Sequence, residues 1–135
     1  MEHSRQGRSV HIPGVTHGKV PIPMGARVGP LVYSSALLGK DPATDTLPAD
    51  PAEQMRWLFT NLRSFLSQAG ASLADVVQVS AYLKDNSLRE PLNTEWLACF
   101  PDPDDRPARH TQLNPDMPGA VLAQLEIVAF VREGA

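Results

Sequence analysis

The stretch "LPADPAEQMRWLFTNLRSFLSQAGASLADVVQVSAYLKD", residues 47–85, changes its hydrophobic period halfway along, and that change sets the fold class. Up to Gly70 the apolar residues Met55, Leu58, Leu62, Phe65 and Leu66 recur at three-to-four spacing, the stripe of a helix that buries one face. Asp50 is placed to cap that helix, Pro51 suits its first position, Glu53 stands three residues after the cap, and Gly70 fits the position just past the end. From Asp75 the period drops to two. Val77, Val79, Ala81 and Leu83 fall on one face and Gln78, Ser80 and Tyr82 on the other, the alternation of a strand covered on one side.

Outward from this core the chain keeps mixing the two periods. Toward the N-terminus, "MGARVGPLVYSSALLG" (24–39) reads as a hairpin, with Gly29 and Pro30 as its turn and Leu31 to Leu38 as one largely buried strand. "SVHIPG" (9–14) opens an edge strand that Pro13 stops, and residues 1–8 show no periodicity and read as a loose terminus. Toward the C-terminus, Ser87 and Glu90 form a capping box for a second helix whose inner face is Leu92, Trp96, Leu97 and Phe100, with Cys99 as a small packed residue. "FPDPDDRP" (100–107) ends it; Asp102, Asp104 and Asp105 lack calcium-loop spacing and its glycine, and read as a solvated turn. "ARHTQL" (108–113) and "AVLAQLEIVAFV" (120–131) are strands, the second apolar on both alternating faces apart from Gln124 and Glu126, so both faces need covering. Two helices blanket only one side of such a sheet, and the other side is expected to meet sheets of sister subunits. The expectation is a single α+β domain over residues 1–135, with about six strands packed on two helices, assembling as a homo-oligomer.

Composition narrows the function classes. A chain of 135 residues is long enough to close one core without staples. Its single cysteine makes no internal disulfide and nothing at the N-terminus reads as a signal peptide, so a cytoplasmic location is expected. Fifteen acidic against twelve basic residues leave a net charge of −3 with no basic cluster, which argues against a nucleic-acid partner. No apolar run approaches the ~20 residues of a membrane span, so no membrane partner is expected. Thirteen prolines gather between the periodic segments and mark ordered loops. The histidines, at 3, 11, 17 and 110, are scattered without metal-site spacing, strand alternation turns His110 away from the face of Arg109, and no metal site is expected. Ser34 and Ser35 lack the G-x-S-x-G elbow of a hydrolase triad.

Three stretches together, "VGPLVYSSALLGKDPATDTL" (28–47), "EQMRWLFTNLRSFLSQAGASLADVVQVSAYLKD" (53–85) and "LNTEWLACFPDPDDRPARHT" (92–111), resemble the RidA/YjgF family, small trimeric deaminases of reactive enamines and imines. The resemblance runs over most of the chain. It implies a chorismate-mutase-like fold, a homotrimer around a central barrel with clefts between neighbouring subunits, and chemistry that needs no cofactor. In that family the arginine of the "PAR" stretch, here Arg109, clamps the carboxylate of a small substrate. The physics agrees: a guanidinium offers a planar fork matching two carboxylate oxygens, and in a water-poor cleft its hydrogen bonds are charge-assisted. The alternative is a structural salt bridge, for instance to Glu126 or to an acid of a neighbouring subunit.

The resemblance also places Ile22, Met24, Ser35, Ala36 and Asn93 among substrate-binding positions, and it is there that the sequence departs from the family. The family's "PYSQA" stands here as Pro21, Ile22, Pro23, Met24, Gly25, and its "SGQ" as Ser35, Ala36, Leu37. Hydroxyls are lost and methyl groups gained, and Ile22, Met24 and Leu37 argue for a ligand with a larger or less polar tail. Counting without gaps from Arg109 through Pro118 puts Gln124 where many members carry a glutamate that orients water and shuttles its proton. Glutamine accepts a hydrogen bond from water but takes up no proton near neutral pH, and such general acid–base help is typically worth ~10²–10⁴-fold. Glu126 is no obvious substitute, lying two residues on, roughly 6.5 Å along the strand. A place in an inter-subunit hydrogen-bond network is the other reading of Gln124.

The expected chemistry is hydrolysis of a carboxylate-bearing enamine or 2-imino acid to a 2-oxo acid and ammonia, with Arg109 as anchor and Gln124 holding water. Two alternatives stay open: a non-catalytic or regulatory trimer that captures a small carboxylate, and an enzyme of this fold with different chemistry on a larger or less polar acid. An endoribonuclease reading is disfavoured by the acidic balance.

Overall fold

In a computed structural model, which describes residues 7–132, the first helix, α1 (Pro51–Gln68), begins as its cap residues dictate. Asp50 Oδ2 accepts the Glu53 backbone N–H at 2.9 Å, and Pro51 fills the first turn. The helix ends in a Schellman turn, Gly70 N–H donating to Ser67 O at 3.1 Å and Ala71 N–H to Leu66 O at 2.8 Å, with Gly70 at φ 76°. All five stripe residues of α1 are buried.

The strands are β1 (Ser9–Val10), β2 (Gly25–Val28), β3 (Leu31–Ser34), β4 (Leu37–Leu38), β5 (Val76–Leu83), β6 (Ala108–Leu113) and β7 (Ala123–Phe130), with α2 (Arg89–Cys99) between β5 and β6. They form one mixed sheet in the order β1-β2-β3-β7-β5-β6, with β4 also pairing β7. Every pairing is antiparallel except β5 with β6, and α2 is the crossover that a parallel neighbour requires. Both helices pack on one face, where Val32, Leu37, Val79, Ala81, Leu83, Leu125, Ile127 and Ala129 are at most 2% exposed. This is the expected α+β class. The opposite face is open in one chain: Val28, Leu31, Tyr33 and Phe130 are 45–63% exposed. Most of the loose terminus read at 1–8 lies outside the described residues.

Three expectations need correction. The strand read as Leu31 to Leu38 breaks after Ser34, because Ser34 Oγ takes the Ile127 N–H at 2.8 Å and the register against β7 shifts by one residue between Tyr33↔Val128 and Leu37↔Leu125. Val77 is not on the covered face: a bulge between Val76 and Gln78 gives Val76 the core position and leaves Val77 54% exposed. The second helix is not capped by Ser87. Asp85 Oδ1 accepts the Ser87 N–H at 2.9 Å and starts a 3-10 turn, Asn86–Leu88, from which α2 continues. That entry sets the inner stripe as Leu88, Leu92, Trp96 and Cys99, with Phe100 just beyond, and turns Leu97 out to 51% exposure.

Two buried amides lock α1 to the sheet. Gln54 Nε2 donates to Pro48 O at 2.9 Å and Ala120 O at 3.1 Å, while Gln54 Oε1 accepts the Leu122 N–H at 2.8 Å. Asn61 Nδ2 donates to Leu38 O and Lys40 O, both at 2.9 Å. A Cβ at Gly39 would collide with the Gln54 carbonyl, so β4 and α1 approach as closely as glycine permits. Replacing Gln54 by leucine strands one N–H and two carbonyls, and urea denaturation is expected to show a loss of about 3 kcal/mol; a loss below about 1 kcal/mol would show that water takes over those bonds.

Candidate functional site

Strand β6 ends the sheet, and its pairing with β5 decides where its side chains go. Arg109 stands opposite Val79, which in turn pairs with Ile127, and directly paired residues share a face. Arg109 therefore turns toward the helices, while His110 shares the open face with Ser80 and Glu126, as strand alternation implies. The Arg109 guanidinium lies over the Trp96 ring of α2, Cζ 4.8 Å from its centroid, within cation–π range. Its Nη1 is buried without a hydrogen-bond partner, and among the described residues no carboxylate pairs with it. The salt bridge to Glu126 is not formed within the chain, since Glu126 is exposed on the other face. Burial pulls the Arg109 guanidinium below its ordinary pKa, and the neighbouring charge of Arg89 pushes the same way.

Two other arginines are used differently. Arg27 donates to Gly29 O at 2.9 Å and to Ala69 O at the end of α1 at 2.8 Å. Arg106 donates to Phe100 O at 2.8 Å and Pro101 O at 3.3 Å, beside a groove of about 300 Å³ that Asp102 and Asp105 also line. Both are bound by backbone carbonyls. Arg109 alone of the three is left with an unmatched fork.

Around Arg109 the helix contributes a stripe. Arg89, Asn93 and Trp96 are spaced four and three residues apart on α2, and so fall within about 60° of one another around its axis. Asn93 is exposed, Arg89 is exposed, and Arg89 Nε donates to Asn86 Oδ1 at 2.9 Å. Thr111, half-buried two residues along β6, shares the face of Arg109. Sequence reading took Trp96 for core alone and passed over Arg89 and Thr111. The signal was present in the helical spacing of 89, 93 and 96 and in the two-residue step from 109 to 111.

The remaining expected residues lie elsewhere. Gln124 stands opposite Tyr82 and Leu38 on the open face. One chain does not bring Gln124 and Arg109 together, because they sit on opposite faces of the sheet. Ser35 and Ala36 are half-buried in the break between β3 and β4, Ser35 N–H donating to Met24 O at 2.7 Å. Ile22 is 47% exposed, but Met24 and Leu37 are core residues at 3% and 0% exposure. The apolar pocket expected from Ile22, Met24 and Leu37 together is corrected accordingly: of the three, only Ile22 lies at the surface.

The fold is that of small α+β proteins whose mixed sheet of six to seven strands is backed by two helices. The crystal structure of RidA from an Antarctic Psychrobacter superposes with a TM-score of 0.83 at 27% identity, covering 92% of this chain and 99% of that one. Residues 23–132 match the family described as Endoribonuclease L-PSP, and the chain belongs to this family, the RidA/YjgF family. A RutC family protein of Pyrococcus abyssi is 31% identical over 118 residues, 83% of this chain and 91% of the relative. The 2-iminobutanoate/2-iminopropanoate deaminase of Escherichia coli K12 is 28% identical over 119 residues, 83% of this chain and 88% of the enzyme. The family thus includes imine deaminases. No helix among the described residues is long and apolar enough to cross a membrane.

Cys99, 9% exposed at the inner face of α2, has its thiol pushed up by burial, so it carries little thiolate at neutral pH. Iodoacetamide at pH 8 is expected to label Cys99 roughly tenfold or more slowly in folded protein than in urea; equal rates would mean the helix face opens readily.

Proposed function

We propose that the protein is a RidA-like deaminase that hydrolyses a carboxylate-bearing 2-imino acid, reached from its enamine, to a 2-oxo acid and ammonia. One observation carries the reading: a half-buried guanidinium over an aromatic floor, with an unmatched N–H and no acidic partner among the described residues. Arg109 donates two hydrogen bonds to the substrate carboxylate, which fixes the adjacent imine carbon. Water adds to that carbon as the C=N π pair moves to nitrogen, and solvent water relays one of its protons to that nitrogen, giving a carbinolamine; the second proton follows from the hydroxyl to the nitrogen, the C–N bond breaks as the C=O forms, and ammonia leaves. No metal or organic cofactor takes part. Gln124 Oε1 accepts a hydrogen bond from the attacking water and orients it, but removes no proton.

Assembly belongs to the same proposal. Three copies around a common barrel would cover the open apolar face and bring Gln124, Ser35, Ala36 and Ile22 of one copy to the Arg109 edge of the next, giving inter-subunit clefts in a cytoplasmic homotrimer. The exposed Val28, Leu31, Tyr33 and Phe130 support this. A second reading, a trimer that binds a small carboxylate without turning it over, draws support from Gln124, which cannot act as a base.

The test generates 2-iminobutanoate in situ and follows its disappearance. Acceleration by the wild type is expected to vanish in Arg109→Ala. Gln124→Glu is expected to raise the rate by roughly 10²-fold, the lower end of general-base assistance. Carboxylate binding that Arg109→Ala abolishes, with no acceleration by the wild type, would establish the binding module instead.

A further inference from the structure

The Arg109 edge holds more positive charge than one carboxylate needs. Arg89 stands two helical turns before Trp96 on the same stripe of α2, and the Trp96 ring carries Arg109, so both guanidiniums border that stripe; the charge of Arg89 also lowers the Arg109 pKa. Its only hydrogen-bond partner among the described residues is the neutral Asn86 Oδ1, at Nε, so both Nη groups remain free donors. Glu90 and Glu95, the acidic residues of α2, lie about 100° and 120° around the helix axis from Arg89. In a chain of net charge −3, two guanidiniums bordering one helix stripe, with no acid paired to either among the described residues, stand against the prevailing charge. Two such forks repel, and an anion shared by both removes the repulsion.

Resting on the deaminase reading of the Arg109 site, we propose that Arg89 and Arg109 together form a dianion site, and that the substrate is the imine of an acidic amino acid, a short 2-imino dicarboxylate. The carboxylate beside the imine carbon pairs with Arg109. The distal carboxylate pairs with the Nη groups of Arg89, with the Asn93 amide in reach as a further donor. The short alkyl chain between them crosses the Trp96 ring, whose face offers apolar contact and no competing hydrogen bond. The hydrolysis is unchanged, the distal carboxylate taking no part in bond making or breaking. Its product is a 2-oxo dicarboxylate.

The stable products serve as probes. Calorimetric titration of the full-length protein is expected to show 2-oxoglutarate binding about tenfold or more tightly than 2-oxobutanoate, because the second acid gains a charge-assisted pair. Arg89→Gln is expected to bring that ratio to about one by weakening 2-oxoglutarate, and Arg89→Lys to keep part of it, since lysine retains the charge without the fork. Arg109→Gln is expected to weaken both acids. A ratio near one in the wild type, or a ratio that Arg89→Gln leaves intact, overturns the dianion site; if Arg109→Gln still weakens both acids, the carboxylate anchor stands. Failure of both acids to bind, or binding indifferent to Arg109→Gln, overturns the anchor and the dianion site together.

Discussion

The register of β5 against its two neighbours is the constraint on which the rest of the structure depends. Antiparallel pairing with β7 places Val79, Ala81 and Leu83 opposite Ile127, Leu125 and Ala123, so one face of the sheet centre is apolar throughout and binds the helices. Parallel pairing with β6 then fixes Arg109 beside Val79, on that same helix-covered face. The parallel arrangement also demands a crossover, and the crossover is α2. The helix that carries Trp96 therefore has to lie where Arg109 points. A hairpin in place of the crossover would leave the guanidinium on a bare sheet edge.

The consequence is energetic as well as geometric. Drawing a guanidinium partly out of water costs free energy unless its donors are matched, and the protein matches them at Arg27 and Arg106 with backbone carbonyls. At Arg109 the Trp96 face returns only part of that cost, about 0.5–2 kcal/mol for a cation over an indole. What stays unmatched is an N–H of a fork whose shape suits a carboxylate, and on the proposed reading that unmatched donor is where the site stores its affinity. A permanent acid partner would stabilise the folded chain and compete with any ligand.

Much of this was legible in the sequence because it follows from local rules. The Asp50 cap, the Gly70 turn and the period change between Phe65 and Val79 each depend on residues within a few positions of one another, and each is found as read. Misreadings came where distant partners decide. Val77 looks like a core residue by alternation, but the bulge that expels it is set by the pairing with β7. Ser34 ends β3 because its hydroxyl takes the N–H of Ile127, 93 residues away. Met24 and Leu37 read as pocket lining by resemblance, yet the close approach of β4 to α1 at Gly39 draws Leu37 into the core, and that of Gly25 to Phe65 draws in Met24 beside it. At the candidate site, the motif singles out Arg109, but the sequence does not reveal the ring beneath it, since Trp96 has the spacing of an ordinary core residue. Only the parallel crossover shows that the same ring both packs inward and carries a cation.

Gln124 raises the remaining constraint. Its side chain lies on the open face with Tyr82, and Arg109 lies on the covered one, so no relaxation of a single chain brings the two to one ligand without dismantling the sheet. On the proposed reading, the apolar residues that one chain leaves exposed have to be covered before the site is whole. Burial of Leu31, Tyr33 and Phe130 by a neighbouring copy would then supply the free energy that completes the cleft, at no cost to the rigidity of either half. The edge arginine keeps its fork free because none of the described residues is in position to close it, and on the proposed reading the assembly that supplies the missing side would also supply the walls that exclude water from it.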